Sequence, residues 1–331
     1  MTSTDTGSSG SDGIINTTTP AFSLAASGTA DTAYTGSNAP TAAIASVVLQ
    51  VSSDAGTTWT DNATFTGSGP YTVTAAALTT NTTYSVRAKV FDLAGKSVTT
   101  ALSTSSGSLT IDTTVPSTAG TIAVSETDGT SGDGVVKTAT PAFTVTSPAD
   151  SGYTAAAIWK VQLQVASGTG QTSGFADTGS AVTSATSGVY TLTTGTLAAG
   201  TYTIRAVATD VAGNETITGS TVDIAVDLTA PTAGTVAVTD TYGSSTSDNI
   251  VRSGTPSFTV TGAVDTDTYT TPGTAAVASV QLQKATGAAQ TSGFADTGSA
   301  VTSATGGVYT LTPTSLSDGT YTVRALVTDL A

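Results

Sequence analysis

The sequence predicts an all-β chain of tandem antiparallel β-sandwiches, and three observations carry that expectation. One stretch occurs three times: Thr83-Tyr-Ser-Val-Arg-Ala-Lys-Val-Phe-Asp92, Gly200-Thr-Tyr-Thr-Ile-Arg-Ala-Val-Ala-Thr-Asp210 and Gly319-Thr-Tyr-Thr-Val-Arg-Ala-Leu-Val-Thr-Asp329. Its arginines, Arg87, Arg205 and Arg324, lie 118 and 119 residues apart, a period of domain size rather than of a solenoid turn. Within it Tyr202, Ile204, Ala206 and Ala208 alternate with Thr203, Arg205, Val207 and Thr209, the period of a strand with one buried face. Finally, the flanking segments recur in the same order, each a short apolar run bounded by turn residues.

Taken in order, each copy reads as follows. Strand A is Thr118–Val124 and Thr232–Val238. Strand B opens on Thr19-Pro-Ala-Phe22, Thr140-Pro-Ala-Phe143 and Thr255-Pro-Ser-Phe258, with Pro at the first residue, where a sheet tolerates it. A loop bearing Asp31, Asp150 or Asp265 and Asp267 follows. Strand C is Ala45–Val51, Trp159–Val165 and Ala278–Lys284, in which Val161, Leu163 and Val165 alternate with Gln162 and Gln164. Strand E begins at Tyr71, Tyr190 and Tyr309. The repeated stretch is strand F, and Asp318-Gly319-Thr320-Tyr321 before its third copy reads as the tyrosine corner of an immunoglobulin-like sandwich. Val86, Ile204 and Val323 stand where antibody domains place a cysteine. Strand G is Ser105–Ile111 and Ser220–Val226.

The expected units are therefore residues 1–112, with the first strand missing, 113–227, complete, and 228–331, with the last strand missing. They form an elongated rod, about 33 Å per unit for strands of about ten residues. The uneven ends suggest an excerpt of a longer array, the alternative being strands donated between molecules. The joints Asp112-Thr-Thr-Val-Pro116 and Asp227-Leu-Thr-Ala-Pro231 are too short for a flexible tether.

Composition excludes several classes of function. Of 331 residues 10% are charged, and the net charge is −14 with nine Lys plus Arg, which disfavours nucleic acid and anionic membranes as partners. Without Cys or His the chain has no disulfides, no thiolate chemistry, no His-based triad and no zinc site. No apolar run is long enough to span a bilayer as a helix. The outward arginines pair with a sheet neighbour. Trp59 and Trp159 are not equivalent positions, so no shared aromatic platform is expected. Acids recurring at repeat junctions do not describe an enzyme cleft.

The chemistry on offer is acidic. End-to-end stacking of such sandwiches brings together the linker Asp, the next unit's B–C and F–G acids and the previous unit's A–B acids. At one joint these are Asp112, Asp150, Asp210 and Asp5 or Asp12. At the other they are Asp227, Asp265 or Asp267, Asp329, and Glu126, Asp128 or Asp133. A single Asp in such a place is an ordinary turn former. A converging set repels itself unless a cation joins it, and oxygen-only donors suit Ca2+.

The D-x-T-x-P linker, T-P-x-F strand B, Y-T-[VL] strand E and G-T-Y-T-[VI]-R-A-x-x-T-D-x-A-G-N together resemble the bacterial Ig-like repeats of giant surface adhesins, of the Bap-like and RTX-type biofilm kinds. Copy one departs from the pattern, with Lys96 in place of the Asn. The resemblance implies an extracellular extender on a bacterial cell surface, stiffened by Ca2+ at joints with neighbouring repeats of the same longer chain. Its matching positions here are Asp112 and Asp227 in the linkers and Asp92, Asp210 and Asp329 in the F–G turns. Two other readings stand beside it: a self-assembling filament or surface-layer protein, and a glycan-binding module using Tyr34, Tyr153 and Tyr269.

Overall fold

The computed structural model describes residues 2–24, 44–66, 71–104, 107–125, 132–151, 158–239, 248–266 and 277–331. Unit one contains β1 (Thr2–Ser3), β2 (Ile14–Ile15), β3 (Ala21–Leu24), β4 (Ile44–Ser52), β5 (Thr60–Phe65), β6 (Tyr71–Thr74), β7 (Thr82–Asp92), β8 (Ser97–Ala101) and β9 (Leu109–Ile111). One sheet has the order β1-β3-β6, and the facing sheet β2-β9-β7-β4-β5 with β8 also on β7.

Unit two repeats this with β10 (Thr121–Ser125), β11 (Val135–Val136), β12 (Ala142–Thr146), β13 (Ile158–Ser167), β14 (Ala176–Val182), β15 (Val189–Thr193), β16 (Gly200–Asp210), β17 (Glu215–Ile217) and β18 (Val222–Val226). Its sheets run β10-β12-β15 and β11-β18-β16-β13-β14, with β17 on β16. Unit three has β19 (Thr235–Thr239), β20 (Ser257–Thr261), β21 (Val277–Thr286), β22 (Ala295–Asp296), β23 (Val308–Leu311) and β24 (Tyr321–Asp329), ordered β19-β20-β23 and β22-β21-β24. The described residues contain strands and no helix.

The six strands read from the sequence, A, B, C, E, F and G, are all present in unit two, and three features were not foreseen. A short strand, β2 or β11, splits from strand A and pairs in parallel with β9 or β18. Strand C is followed by a further antiparallel strand, β5, β14 or β22. Strand G is broken in two, β8–β9 and β17–β18, each half pairing with a different part of strand F. Unit one also has a strand in the first position: Ser3 of β1 pairs with Phe22 as Val124 pairs with Phe143.

Between the two sheets of unit two lie Phe143, Leu163, Ile204 and Ile224, all at 0% exposure, and Phe22, Leu49, Val86 and Leu109 fill the same places in unit one. The tyrosine corner closes as its motif requires. Tyr202 Oη donates to Ala198 O at 3.1 Å and Tyr321 Oη to Ser317 O at 3.0 Å. In unit one Tyr84 Oη instead accepts from Thr79 N–H at 3.0 Å. The outer face of strand F is drier than strict alternation implies. Thr203 is fully buried with its hydroxyl satisfied: it accepts from Gln171 N–H and has two acceptors within reach of its single hydrogen, Asp223 Oδ1 at 2.6 Å and Gly168 O at 2.9 Å.

On that outer face each repeat builds the same ladder. The Nε of Arg87, Arg205 and Arg324 donates at 2.8 Å to Gln50, Gln164 and Gln283, whose amides donate in turn to Asp61, Asp177 and Asp296. Each guanidinium also stacks about 4 Å above a ring, that of Trp59, Phe175 or Phe294. A shared aromatic position does exist, then, with Trp59 matched by two phenylalanines rather than by Trp159. In unit one a polar turn orients the ring: Trp59 Nε1 donates to Gly56 O, and Asp54 accepts from the Ser52 hydroxyl and from the amide and hydroxyl of Thr58. The Ser52 hydroxyl, then the Thr58 groups, hold the Asp54 carboxyl at about 2.

Two predictions follow from these contacts. Leu163→Ala, in the core, should destabilise unit two by about 3 kcal/mol, whereas Arg205→Lys, on the ladder, should cost about 1 kcal/mol. Chemical denaturation that ranks them the other way would refute this division of labour. Asp54 titrates lower folded than unfolded, so its contribution is complete above the ordinary value of 3.8 and is lost as pH falls toward about 2. An NMR titration of its carboxyl should show that midpoint, and Thr58→Val should move it upward.

Candidate metal centre

Each joint is assembled from strand ends. Strand G of one unit runs directly into a linker Asp: Ile111 into Asp112, and Val226 into Asp227. Strand F of the next unit ends at Asp210 or Asp329. Opposite that end, strand C begins with a bulge, so that Ile158 lies across from Asp210 and Val277 across from Asp329 before the register shifts. The B–C side supplies Asp150 or Asp265 beside a short bridge between linker and loop, Thr118 with Ala149 and Thr232 with Val264. The outcome is two matching trios, Asp112–Asp150–Asp210 and Asp227–Asp265–Asp329, in each of which one oxygen per carboxylate lies within 4.8 Å of the others.

These groups are deeply placed. Asp112, Asp210 and Asp227 are 2%, 0% and 3% exposed. Local donors hold each in position. Asp112 and Asp227 accept from the amides of Thr114 and Thr229, Asp329 from that of Ala331, and Asp210 from both the backbone and the side-chain amide of Asn214. Burial first, and then the like charges of Asp210 and Asp150, push the Asp112 carboxyl above its ordinary range. Burial and Asp265 do the same to Asp329, partly offset by Lys137. Two unit charges 4.8 Å apart repel by roughly 3 kcal/mol at an effective dielectric constant of about 20. Three carboxylates at this spacing, two of them buried at the first joint and one at the second, with oxygen donors only, fit a hard divalent cation.

The remaining candidates fall elsewhere. Asp133 belongs to neither trio among the described residues; it caps the start of β11 by accepting from Val135 N–H. Asp12 does the same for Ile14, and Asp5 accepts from Gly13 N–H. Asp5, Asp12 and Asp133 therefore each accept a bond within their own loop, where the unforeseen strand β2 or β11 needs its leading amides satisfied. Asp92, at the far end of unit one, accepts from Lys96 N–H and is in neither trio. Glu126, Asp128 and Asp267 lie outside the described residues, as do Asp31 and the tyrosines of the glycan reading, Tyr34, Tyr153 and Tyr269.

Sequence reasoning missed how tightly the first joint is bonded. Thr6 Oγ1 donates to Ala212 O, Ser8 N–H to Val211 O, and Asn16 Nδ2 to Gly213 O, all from unit one to the F–G turn of unit two. From the other direction Asn214 Nδ2 donates to Asp112 O and Thr216 Oγ1 to Pro116 O. Gly7, at φ +84°, is where the two units touch: a Cβ there would stand 2.0 Å from Val211 O. At the second joint Ala331, the counterpart of Ala212, packs on Val135 and Ala225. The signal was the Ala-Gly of the repeated T-D-x-A-G-N tail, which reads as a turn and here is also a docking face.

Gly7→Ala should loosen the first joint while leaving both cores intact. NMR relaxation of units one and two should then show more independent tumbling with unchanged melting temperatures, and correlated tumbling as before would refute the contact's role.

Residues 114–228 match the family model of the bacterial Ig-like domain. Among solved structures the chain is similar to the FN1–FN3 domains of chicken CNTN1, at 13% identity, over 97% of this chain and 92% of that one, with a TM-score of 0.35, too low to argue from. No curated protein matches it. The family match spans unit two from linker to linker, and the flanking units repeat motifs and strand pairings of that unit.

Proposed function

We propose that the chain is a spacer, an extender segment of an exported bacterial surface adhesin or fibre, with Ca2+ clamping its joints. The observation that carries this reading is the pair of matching carboxylate trios, each formed only where two units meet. Asp112, Asp150 and Asp210 would hold one ion, and Asp227, Asp265 and Asp329 the other. The ion would supply the positive charge that lets three carboxylates share one small volume. The residues of the joint do the rest. Asn214 orients Asp210 and ties it to the linker carbonyl, and the linker amides fix Asp112 and Asp227. The ligands of each ion come from two units, so binding free energy becomes resistance to bending.

Such a part is mechanical, not catalytic. No helix among the described residues is long and apolar enough to cross a membrane, and the acidic, Ser/Thr-rich surface suits a segment that projects into solvent and resists self-association. Localisation outside the cell, and passage through an export channel without disulfides, belong to the same proposal.

Small-angle scattering and calorimetry with Ca2+, and then with excess chelator, test it. Calcium should lengthen the particle and raise the melting temperature. At a free concentration 100 times Kd, one ion adds about 2.7 kcal/mol. Asp112→Asn should abolish the effect of the first joint and leave the second. If neither length nor melting responds to calcium, the junction acids are turn formers and the clamp is refuted, while the sandwich array stands.

A further inference from the structure

Unit one carries a polar pocket of about 250 Å3 between the β4–β5 hairpin and the turn from β6 to β7. Two local changes, neither shared by units two and three, shape its lining. The first is an insertion: five residues separate Leu78 from Tyr84, where four separate Leu197 from Tyr202 and Leu316 from Tyr321. The tyrosine corner therefore closes differently. Tyr202 and Tyr321 donate their hydroxyl hydrogens to Ala198 O and Ser317 O. Tyr84, only 7% exposed, accepts from Thr79 N–H and donates to no described residue, so its O–H is a donor left to the pocket it lines. The second change is a bulge. Asp61 pairs with Gln50 and Ala63 with Leu49, which leaves Asn62 outside the ladder, and a bulge re-aims the side chain it carries. Asn62 Nδ2 donates to Ala76 O at 3.3 Å, while its Oδ1 is buried and accepts from no described residue.

Units two and three close the same place. Ala76, Gly195 and Thr314 each stand two residues before the leucine of that turn. Gly195 N–H donates to Thr178 Oγ1 and Thr314 N–H to Thr297 Oγ1, so a satisfied threonine stands there in both. In unit one the walls of the pocket are mixed and firmly held. Val51 and Leu78 supply apolar surface, and Thr58 and Thr60 supply hydroxyls. Ser52 Oγ pins the hairpin, accepting from Gly56 N–H and donating to Asp54. The facing turn is tied to the linker, Asn81 N–H to Ile111 O and Thr114 Oγ1 to Asn81 Oδ1. Walls fixed beforehand lose little entropy when a ligand arrives. Among the described residues no Asp, Glu, Lys or Arg lines the pocket, so it offers no charge to a phosphate, a carboxylate or a metal ion. Its volume falls below the roughly 300–1,000 Å3 of sites for drug-sized ligands, which limits the occupant to one small ring.

We infer that this pocket binds a single neutral sugar ring. A pyranose carries hydroxyls that both donate and accept, as a lone buried donor beside a lone buried acceptor requires, and its C–H face is apolar. One ring hydroxyl accepts from Tyr84 Oη, another donates to Asn62 Oδ1, and the C–H face lies against Val51 and Leu78. The threonine hydroxyls serve the remaining ring oxygens. A buried acceptor without a donor is costly, and the sugar removes that cost. Units two and three have neither free group, so the ring binds unit one alone. Calcium at the joints plays no part in this site.

The probes are D-glucose, D-galactose, D-mannose and their methyl pyranosides, added in turn to the isotope-labelled whole chain and followed by NMR, with glycerol as the acyclic control. At least one sugar should bind one to one. It should shift the side-chain amide of Asn62 and the backbone amides of Thr79 and Tyr84, leaving those of Tyr202 and Tyr321 in place. Tyr84→Phe, which keeps the ring in the core, and Asn62→Ala should each weaken that sugar about tenfold, the worth of one hydrogen bond to a buried partner. Tyr202→Phe should leave its affinity unchanged. Equal binding of free sugar and methyl glycoside assigns the site to the end ring of a glycan, and binding of the free sugar alone assigns it to a monosaccharide. The inference is overturned if no sugar binds, if glycerol shifts the same amides as strongly, if the folded variants bind as the native chain does, or if the shifts fall in units two and three.

Discussion

The register of strand F against its two neighbours is the constraint on which the rest depends. In β16, Ile204, Ala206 and Ala208 must face the core. With a strict period of two, that requirement alone fixes where Asp210 lies when the strand ends. The same register fixes strand G, and so the point at which Asp112 or Asp227 leaves the preceding sandwich. Hydrophobic burial therefore positions the carboxylates of the joint, and a slip of one residue would turn the core side chains outward and scatter the trio together. Strand C begins with a bulge against strand F, and it lies across from the terminal Asp in all three units. A bulge bends the strand and re-aims its end, here at the end that meets the neighbouring unit.

How far this was legible in the sequence depends on the kind of signal each element carries. Strands B, C, E, F and G alternate because one face is buried, and alternation survives in a single sequence. Strand β14 does not alternate: of Ala176–Val182 only Thr178 is buried, because the strand lies at the sheet edge, where little packs on it. The split strands β2 and β11 are two residues long, and their partner, β9 or β18, lies some 90 residues downstream, so nothing local announces them. The trios were legible because linker, B–C and F–G acids recur with the domain period, and because a sandwich places those turns at one end. The A–B acids looked equivalent on the same grounds. They differ because Asp12 and Asp133 cap amides within their own loop. The ladder was half legible: the arginines were seen, but Trp59 against Phe175 and Phe294 changes residue type and shifts by two positions relative to the arginine.

The two joints share a trio and differ in their surroundings. At the first, Asn16 and the Ser8 backbone N–H bond directly to the F–G turn of unit two. At the second, the residue corresponding to Asn16 is Lys137, whose charge lowers the Asp329 carboxyl against the upward push of burial and Asp265. The first joint thus carries hydrogen bonds between neutral groups, and among the described residues of the second a cation lies near the carboxylates. The neutral contacts are insensitive to ionic strength, whereas the charge of Lys137 is screened by salt in proportion to its exposure.

The sheet order also decides how a load would pass through a unit. The short strand β11 and the final strand β18 are parallel neighbours, Val135 beside Ala225 and Val136 beside Val226. Because they are parallel, tension applied at the start of one and the end of the other slides them past each other, and the hydrogen bonds of the pair bear it together rather than opening one at a time. Strand β18 is also held along its other edge by β16 through five paired residues, and it runs straight into Asp227. In the extender reading, force entering at a clamped joint therefore passes into a strand whose last three residues, Ile224, Ala225 and Val226, are fully buried. That placement explains why the split of strand A, costly in extra loop and capping residues, accompanies a sandwich whose joints are short: the parallel pair gives strand G a second partner at the end where the chain would be pulled.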